Sequence, residues 1–369
     1  MNADQICVHP RESAAKLLLS RARTSAGEVD WEYLFQLARR HSIVPLVYLQ
    51  LNRAPPEVLT KFKQHYIENS ARNTVLTAEL CRLINLFRDE GIEAIPYKGP
   101  VLALLAYGDI ALRRFVDLDV IVKKSDVLKA REILLKSTYT PSKSLSLAQQ
   151  ELLLRTQHNM QFSRDHHQLI VELHWEVAPH LFASTVNGER LWQDLITVDL
   201  NGTPVKTFCA EDLLFSLCVH GSRHLWERLS WICDVAELIT RQPLDWTVLL
   251  KRASSADAER MFLLGVHLAE RLLDAPVPPE VKARCDSDPR LSSLADNIIE
   301  HLFNGPTHVP ATSREIFKYN ISVRKTLSAR ARYLLYMLRP TDSDLGSHSL
   351  PPSLNFAYYL TRPFRLLRR

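Results

Sequence analysis

The segment 116–122, VDLDVIV, constrains the fold most, because apolar and acidic residues alternate along it. An extended strand places alternate side chains on opposite faces, so Asp117 and Asp119 share one face. The other face is apolar and suits a core; it carries Val116, Leu118, Val120 and Val122. Two carboxylates at this separation repel each other unless a cation lies between them, and hard oxygen ligands suit Mg²⁺. The segment therefore predicts a buried strand that presents a divalent-metal site.

The neighbouring segments predict a small mixed sheet. An apolar run, 92–97, ends at Lys98-Gly99, and a short helix is expected over 100–107 with Pro at its first position. Downstream, 158–163 and 168–177 are predicted to form a hairpin. In its second strand Glu172 and His174 share one face, while the other face is expected to enter the core with Leu169, Val171, Leu173 and Trp175. If this strand adjoins segment 116–122, Glu172 supplies a third carboxylate.

Most of the remaining chain has helical spacing of its apolar residues. A long helix is expected over 57–88, stopped by Gly91, and Ser125 is predicted to cap a helix that runs to Leu135. Segment 138–147 is expected to be a loop, and Asn201-Gly202 predicts a hairpin turn. Further helices are predicted over 148–155, 211–220, 229–240, 246–253, 257–273 and 290–303.

Composition indicates a folded protein of ordinary polarity, with 369 residues of which 24% are charged. The N-terminus lacks a basic segment followed by an apolar one, and no run of about 18 apolar residues occurs. We therefore expect a cytoplasmic protein without a transmembrane span. Its six cysteines are scattered and form no CxxC pair, which is typical of reduced thiols rather than of disulfides or a zinc site.

Positive charge is concentrated at the C-terminus. Residues 324–369 contain nine Arg or Lys and two Asp, a balance of +7, so the rest of the chain carries −2. The end of this tail, NFAYYLTRPFRLLRR, interleaves aromatic residues with four arginines. It could contact RNA phosphates or an anionic membrane surface, or it could be a docked helix with a solvated basic edge.

Taken in order, these parts resemble the nucleotidyltransferase superfamily with its polymerase-beta-like palm. More narrowly, the chain is similar to a bacterial group of nucleotidyltransferase family proteins over residues 94–238. The motifs that carry the resemblance are YKG, YGD, a following Arg, DLDVIV, VELHW and HGSRHLWERLSWICDVAEL. It implies an α+β fold with a small mixed sheet flanked by helices. The implied parts are a helical segment 1–90, a catalytic domain 91–208, a helical domain 209–340 and the basic tail 341–369.

The resemblance also implies an activity, the Mg²⁺-dependent transfer of a nucleoside monophosphate from an NTP, with ATP the expected donor. The acceptor is left open between a small molecule, a peptide or protein, and an RNA end. Asp117, Asp119 and Glu172 are expected to hold one or two Mg²⁺ ions, and Glu172 is also the expected general base. The residues expected to contact the nucleotide or line its cleft are Lys98, Gly99, Arg113, His174, His220, His224 and Arg228.

Several alternatives stay open at this point. Asp-x-Asp also occurs in metal-dependent glycosyltransferases, and a non-catalytic nucleotide-binding or scaffold protein could keep the same fold. His220 and His224 have a spacing that can bind zinc, although no third ligand is evident. Lys98 could face solvent, Arg114 is expected at the surface or in a salt bridge, and Arg228 could pair with Asp234. At the turn after Lys98, the chain has Gly-Pro where the superfamily usually has Gly-Ser or Gly-Gly, and Pro removes one N–H donor.

Overall fold

The computed structural model describes residues 9–52, 54–166, 168–179, 181–182, 188–303, 312–341, 357–359 and 362. Over these residues, helices surround one five-stranded mixed sheet, and a separate two-stranded hairpin packs against the edge of this sheet. The predicted α+β class is therefore confirmed. None of the described helices is long and apolar enough to cross a membrane. The predicted contacts of the basic tail 341–369 fall almost entirely outside the described residues.

Helices and strands are numbered here in chain order. The helices are α1 (Pro10–Arg21), α2 (Trp31–Arg40), α3 (Val44–Tyr48), α4 (Pro56–Asp89), α5 (Gly99–Leu102), α6 (Val127–Lys136), α7 (Leu147–Thr156), α8 (Ala210–Arg223), α9 (Leu229–Arg241), α10 (Trp246–Ser255), α11 (Glu259–Leu273), α12 (Pro279–Asp286), α13 (Pro289–Phe303), α14 (Ser313–Ser322) and α15 (Leu327–Met337). The strands are β1 (Ala94–Pro96), β2 (Leu118–Val122), β3 (Thr140–Pro141), β4 (Asn159–Arg164), β5 (Leu169–His174), β6 (Leu195–Leu200) and β7 (Thr203–Phe208).

The five-stranded sheet has the order β1-β2-β5-β4-β3. Strands β2 and β5 are parallel, and the other neighbouring pairs are antiparallel. In the β2–β5 register Asp119 lies opposite Glu172. The predicted adjacency of the two acidic strands is therefore confirmed. The β6–β7 hairpin turns at Asn201-Gly202, as predicted, with positive φ at both residues.

One face of the sheet forms a core with α4, α6 and α7. Its members on β2 and β5 and just after β5 are Leu118, Val120, Val122, Leu169, Val171, Leu173 and Trp175. These are the residues that strand alternation assigns to the apolar face. The carboxylates of β2 and β5 consequently belong to the opposite face.

A second core joins the helices that precede the sheet in sequence to those that follow it. Buried residues of α1, α2 and α3 cluster with residues of α8, α9 and α11, and with Ile95 of β1 and Ile121 of β2. The N-terminal and C-terminal helices thus share one core, which covers the side of the sheet where the carboxylates lie.

Three local expectations are corrected. Strand β2 begins at Leu118, so Val116 precedes it and is 36% exposed instead of facing the core. Helix α6 begins at Val127 after a short 3-10 turn, and the Ser125 hydroxyl contacts the Asp126 carboxylate at 3.3 Å instead of capping a helical N–H. The expected loop 138–147 contains β3, because its first residues pair with β4.

Helix α4 fixes the loop that leads into β2. Asn69 donates from Nδ2 to the carbonyl of Ala111 at 2.9 Å, and Asn73 donates to the carbonyl of Arg113 at 2.8 Å. Asn73 is fully buried, so these hydrogen bonds replace water for the loop carbonyls. The position of the loop therefore depends on a helix that is far from it in sequence.

Candidate active site

The centre of the site is a group of three side chains from β2 and β5. One ligand atom from each of Asp119, Glu172 and His174 lies within 4.8 Å of the other two. His174 Nε2 is 3.1 Å from Asp119 Oδ1 and 3.2 Å from Glu172 Oε2. Burial alone would lower the pKa of His174, but its hydrogen bonds to the two carboxylates outweigh burial and raise the pKa. The two carboxylates therefore favour the protonated form of the imidazole.

Lys98 provides a second buried cation. Its Nζ lies 3.1 Å from Asp119 Oδ1 and 3.4 Å from His220 Nδ1. The Asp119 charge raises the pKa of Lys98 against the effect of burial, and Lys98 together with His174 holds the pKa of Asp119 well below its usual range. The expectation that Lys98 faces solvent is wrong, because its amine is paired inside the site.

Asp117 differs from the other two carboxylates in its electrostatics. It lies just before β2 and forms no ion pair with a described residue. Glu172, by contrast, accepts from Asn159 Nδ2 at 2.9 Å and from His174. Burial and the charges of Asp119 and Glu172 raise the pKa of Asp117 to about 6. The pKa of Glu172 is lowered instead, because the hydrogen bond from His174 outweighs burial. Asp117 therefore carries an unneutralised repulsion that a bound cation would relieve.

These residues form one wall of a cavity of about 640 Å³. Helices α8 and α9 and the turn between them form the wall opposite, with His220, His224 and Arg228 beside Trp231. The two histidine rings have centroids 4.6 Å apart, and each packs on the Trp231 ring. The predicted residues that line this cavity are Lys98, Arg113, Asp117, Asp119, Glu172, His174, His220, His224 and Arg228.

Both histidines of the α8–α9 wall are neutral. Burial lowers the pKa of His224 to about 3, with a further contribution from Arg223, and burial with the Lys98 charge lowers that of His220 well below its usual range. Neutral imidazoles can accept hydrogen bonds or stack on a base. Among the described residues the group with metal-ligand geometry contains neither of them, so the zinc alternative has no third ligand here.

Arg113 is fixed by a buried bidentate ion pair with Asp234. Its Nε and Nη2 atoms lie 2.9 and 3.0 Å from the two carboxylate oxygens, and the Tyr107 hydroxyl donates to the same carboxylate at 2.9 Å. The expected Arg228–Asp234 pair is therefore wrong. Arg228 precedes α9, is exposed, and lies over the Trp231 ring at 5.9 Å.

Gly99 is buried beneath the site and is not one of the residues that line the cavity. Its φ of +56° favours glycine, and a Cβ would lie 3.6 Å from the Asp117 carbonyl oxygen. The residue thus allows the turn from β1 into α5 to pass close to Asp117. The phosphate contact predicted for Gly99 stays a prediction.

The side chains present fit a hard divalent cation. Asp119 and Glu172 offer oxygen atoms within reach of one ion, and the raised pKa of Asp117 marks a place where positive charge is favoured. A metal ion would compete with Lys98 and His174 for the oxygens of Asp119. The carboxylate oxygens of Asp119 and Glu172 suit Mg²⁺ or Mn²⁺, whereas structural zinc is typically held by thiolates and imidazoles.

Sequence reasoning missed several residues of this cavity. Asn159 reaches Glu172 across the β4–β5 pair, and Arg223 contacts His158 with 2.8 Å between Nη1 and Nε2. The hairpin register could have placed Asn159 here, because it pairs with His174. Arg114 also lines the cavity. It is exposed and forms no ion pair with any described residue, so the structure supports a surface position, the first of its two predicted alternatives.

Comparison with known families agrees with this geometry. The model of a family described as "Uncharacterised nucleotidyltransferase" matches residues 27–274, more than half of the chain. The matched range contains the five-stranded sheet, the carboxylates and the α8–α9 wall. No curated protein and no solved structure matches the chain. From its match over the sheet and both walls of the cavity, the chain belongs to this family of nucleotidyltransferases.

Proposed function

We propose that the protein is a Mg²⁺-dependent enzyme that transfers a nucleoside monophosphate from an NTP, with ATP as the expected donor, to a hydroxyl or phosphate acceptor. The observation that carries this proposal is the in-register pairing of Asp119 with Glu172 on parallel strands, with Asp117 just before them. Membership of the nucleotidyltransferase family supports the same reaction class.

In this reaction Asp117, Asp119 and Glu172 hold the metal. Bound Mg²⁺ would orient the triphosphate and offset negative charge as pyrophosphate leaves. An acceptor oxygen forms a bond to the α-phosphorus, and the bond from that phosphorus to the pyrophosphate oxygen breaks. The acceptor proton passes to a carboxylate of the site.

The pKa directions refine the expected assignment of the general base. A lowered pKa makes Glu172 a weak proton acceptor, and its oxygen is already hydrogen bonded to Asn159 and His174. Asp117, with a pKa of about 6, accepts a proton more readily in the metal-free site. We therefore assign Glu172 mainly to metal binding.

Cationic side chains are assigned to phosphate contacts according to whether their nitrogen atoms are already paired within the protein. Arg113 already gives two nitrogens to Asp234, so its predicted role on the leaving group is limited to its remaining nitrogen. Arg228 is exposed in the cavity wall without an ion pair to a described residue. Arg228 is consequently the stronger candidate, and Lys98 becomes available where a metal ion replaces it at Asp119. His220 and His224 line the space left for the base or sugar.

The test is to measure binding and turnover with the four common NTPs, each labelled on the α-phosphate. We expect Mg²⁺-dependent NTP binding, and with a mixture of candidate acceptors we expect label transfer accompanied by pyrophosphate release. Asp117→Asn and Asp119→Asn should each lower the transfer rate by at least about 10²-fold, because each removes a metal ligand.

Asp89→Asn is the matched control, since it makes the same chemical change at an exposed residue at the end of α4. Absence of Mg²⁺-dependent binding of every NTP would overturn the proposal. Binding of nucleotide-sugars in preference to NTPs would favour the glycosyltransferase alternative. NTP binding without any pyrophosphate release would favour the non-catalytic alternative.

A further inference from the structure

A second cavity adjoins the one that holds the carboxylates. It has a volume of about 650 Å³ and lies between α2, α4, the start of α3, the β4–β5 turn and the loop before β2. The two cavities share three lining residues, Arg39, Ser42 and Arg114. A molecule that fills the second cavity can therefore extend toward the carboxylates.

Three arginines line this second cavity: Arg39, Arg72 and Arg114, named here the arginine patch. Among the described residues none of them forms an ion pair with a carboxylate. Arg72 donates to the Val116 carbonyl at 3.4 Å, and Arg39 lies 5.9 Å from the centroid of the Phe35 ring. Partial enclosure and the charges of Arg72, Arg228 and Arg39 lower the pKa of Arg114. The arginine patch is thus a concentration of positive charge without an ion-pair partner among the described residues.

Two acidic residues, Glu68 and Asp165, also line this cavity, but neither forms an ion pair with the arginine patch. Asp165 is paired with Arg164 at 3.2 Å, and Glu68 accepts from Gln64 at 3.0 Å on the exposed side of α4. Guanidinium groups match the oxygens of carboxylates and phosphates with paired hydrogen bonds. An oxyanion from outside the protein is the partner that this arrangement lacks.

The rest of the lining is partly aliphatic, with Val44, Pro45, Val75, Leu76 and Leu169, and partly polar, with Ser42, His65, Asn69 and Gln168. Val75 is 59% exposed although it is apolar. Single-stranded nucleic acid is usually bound by aromatic platforms along an open groove, and no Phe, Tyr or Trp lines this cavity among the described residues. Aliphatic walls beside the arginine patch suit a small molecule with an apolar body and an anionic group.

We infer that this cavity is the acceptor site of the proposed transferase, and that the acceptor is a small amphipathic molecule whose carboxylate or phosphate contacts Arg39, Arg72 and Arg114. The inference rests on the proposed function for the transfer step. Binding of the oxyanion itself depends on the second cavity alone. Binding of the oxyanion and transfer of the nucleotide can therefore be tested separately.

The probe is 1-anilinonaphthalene-8-sulfonate, which has an apolar body and an oxyanion and fluoresces when it is bound. We expect saturable binding to the full-length protein, weakened about tenfold or more by Arg72→Glu and by Arg114→Glu. Octyl phosphate or octanoate should displace the probe, and 1-octanol should not. The stronger of the two anions indicates whether the natural group is a phosphate or a carboxylate.

Arg155→Glu is the matched control, because it reverses the same charge at an exposed residue of α7 away from both cavities. Wild-type-like probe affinity in Arg72→Glu and Arg114→Glu would overturn the acceptor site. Displacement by an oligouridylate of about 20 nucleotides at lower concentration than by octyl phosphate would also overturn it, in favour of RNA. Mg²⁺–ATP affinity, measured in parallel on Arg72→Glu, reports on the proposed function alone, because Arg72 lines only the second cavity whereas Arg114 lines both.

Discussion

At the scale of single residues, the carboxylates of the site differ in how many cationic side chains contact them. Lys98 and His174 both contact Asp119, while Asp117 has no such partner among the described residues. One carboxylate is therefore stabilised as an anion and its neighbour is destabilised. The repulsion between the three carboxylates therefore mainly destabilises the ionised form of Asp117.

Asp117→Asn should consequently stabilise the metal-free protein. Because the folded-state pKa of about 6 exceeds the ordinary 3.8, ionised Asp117 destabilises the fold at neutral pH. The gain in unfolding free energy should be up to about 3 kcal/mol at pH 8, should shrink as the pH falls from 6 to 4, and should be absent below pH 4. Urea unfolding in EDTA across this pH range measures it.

The same experiment in MgCl₂ should reverse the order of the two proteins, because only the wild type gains from the metal at this ligand. Asp89→Asn serves again as the control and should leave both curves unchanged. A metal-free Asp117→Asn protein that is less stable than wild type at pH 8 would contradict the raised pKa.

Lys98→Met should have the opposite effect on the metal-free protein. It leaves the Asp119 carboxylate buried without its amine partner, so we expect a loss of about 3–5 kcal/mol in EDTA. Added Mg²⁺ should recover part of this loss. Thermal unfolding with and without MgCl₂ measures both quantities, and an equal loss under the two conditions would argue against a cation site at Asp119.

At the scale of elements, the sequence predicts the strands better than the loop between them. Alternation of apolar and acidic residues places Asp119 and Glu172 correctly, because a half-buried strand leaves each side chain only two faces. The loop over 110–116 has no such periodicity. Its position depends on Asn69 and Asn73 of α4, which the helical pattern marks only as polar positions.

Asn73→Ala tests this dependence. The change removes the hydrogen bonds to the carbonyls of Ile110 and Arg113 and leaves buried acceptors unsatisfied, so we expect a loss of about 1–3 kcal/mol in stability. Because the loop carries Arg113 and leads to Asp117, Mg²⁺–NTP affinity should also fall. Thr74→Ala, at an exposed residue of the same helix, is the control. Unchanged nucleotide affinity in Asn73→Ala would show that the position of this loop does not affect nucleotide binding.

The partner of Asp234 illustrates what sequence reasoning could not supply. Arg228 is close to it in sequence, yet Arg113 makes the pair. Residues six apart around the start of a helix need not share a face. The Arg113 loop reaches Asp234 because the segment that precedes it, Ala103–Tyr107, packs against α9. The second cavity was missed for a similar reason, since its arginines come from α2, α4 and the loop before β2.

At the scale of the whole molecule, the α8–α9 wall is positioned by the second core. Trp226 belongs to the turn that connects α8 with α9. Its side chain is fully buried and packs against Gly221 of α8 and Gly265 of α11. A Cβ at Gly221 would lie 2.5 Å from the Trp226 ring, which is closer than real contacts allow. The absence of a side chain at this position therefore determines how closely α8 and the Trp226 turn approach.

Gly221→Ala should destabilise the protein by about 1–3 kcal/mol, because the overpacking outweighs the better helix propensity of alanine. The displaced turn should also weaken nucleotide binding, since His224 and Arg228 flank Trp226. Denaturant unfolding and NTP titration measure the two effects. Ser254→Ala, on the exposed face of α10, should change neither. A more stable Gly221→Ala protein would contradict this prediction, because it would show that the Trp226 turn accommodates the added methyl group without loss of stability.

The parallel pairing of β2 with β5 has a consequence for synthesis on the ribosome. Asp119 leaves the exit tunnel long before Glu172, and the opposite wall at His220 follows later still. A nascent chain that has folded only as far as β2 therefore presents Asp119 with Lys98 as its local counter-ion and no complete ligand set. The ligand set proposed for the metal is therefore complete only after β5 has been synthesised and has paired with β2.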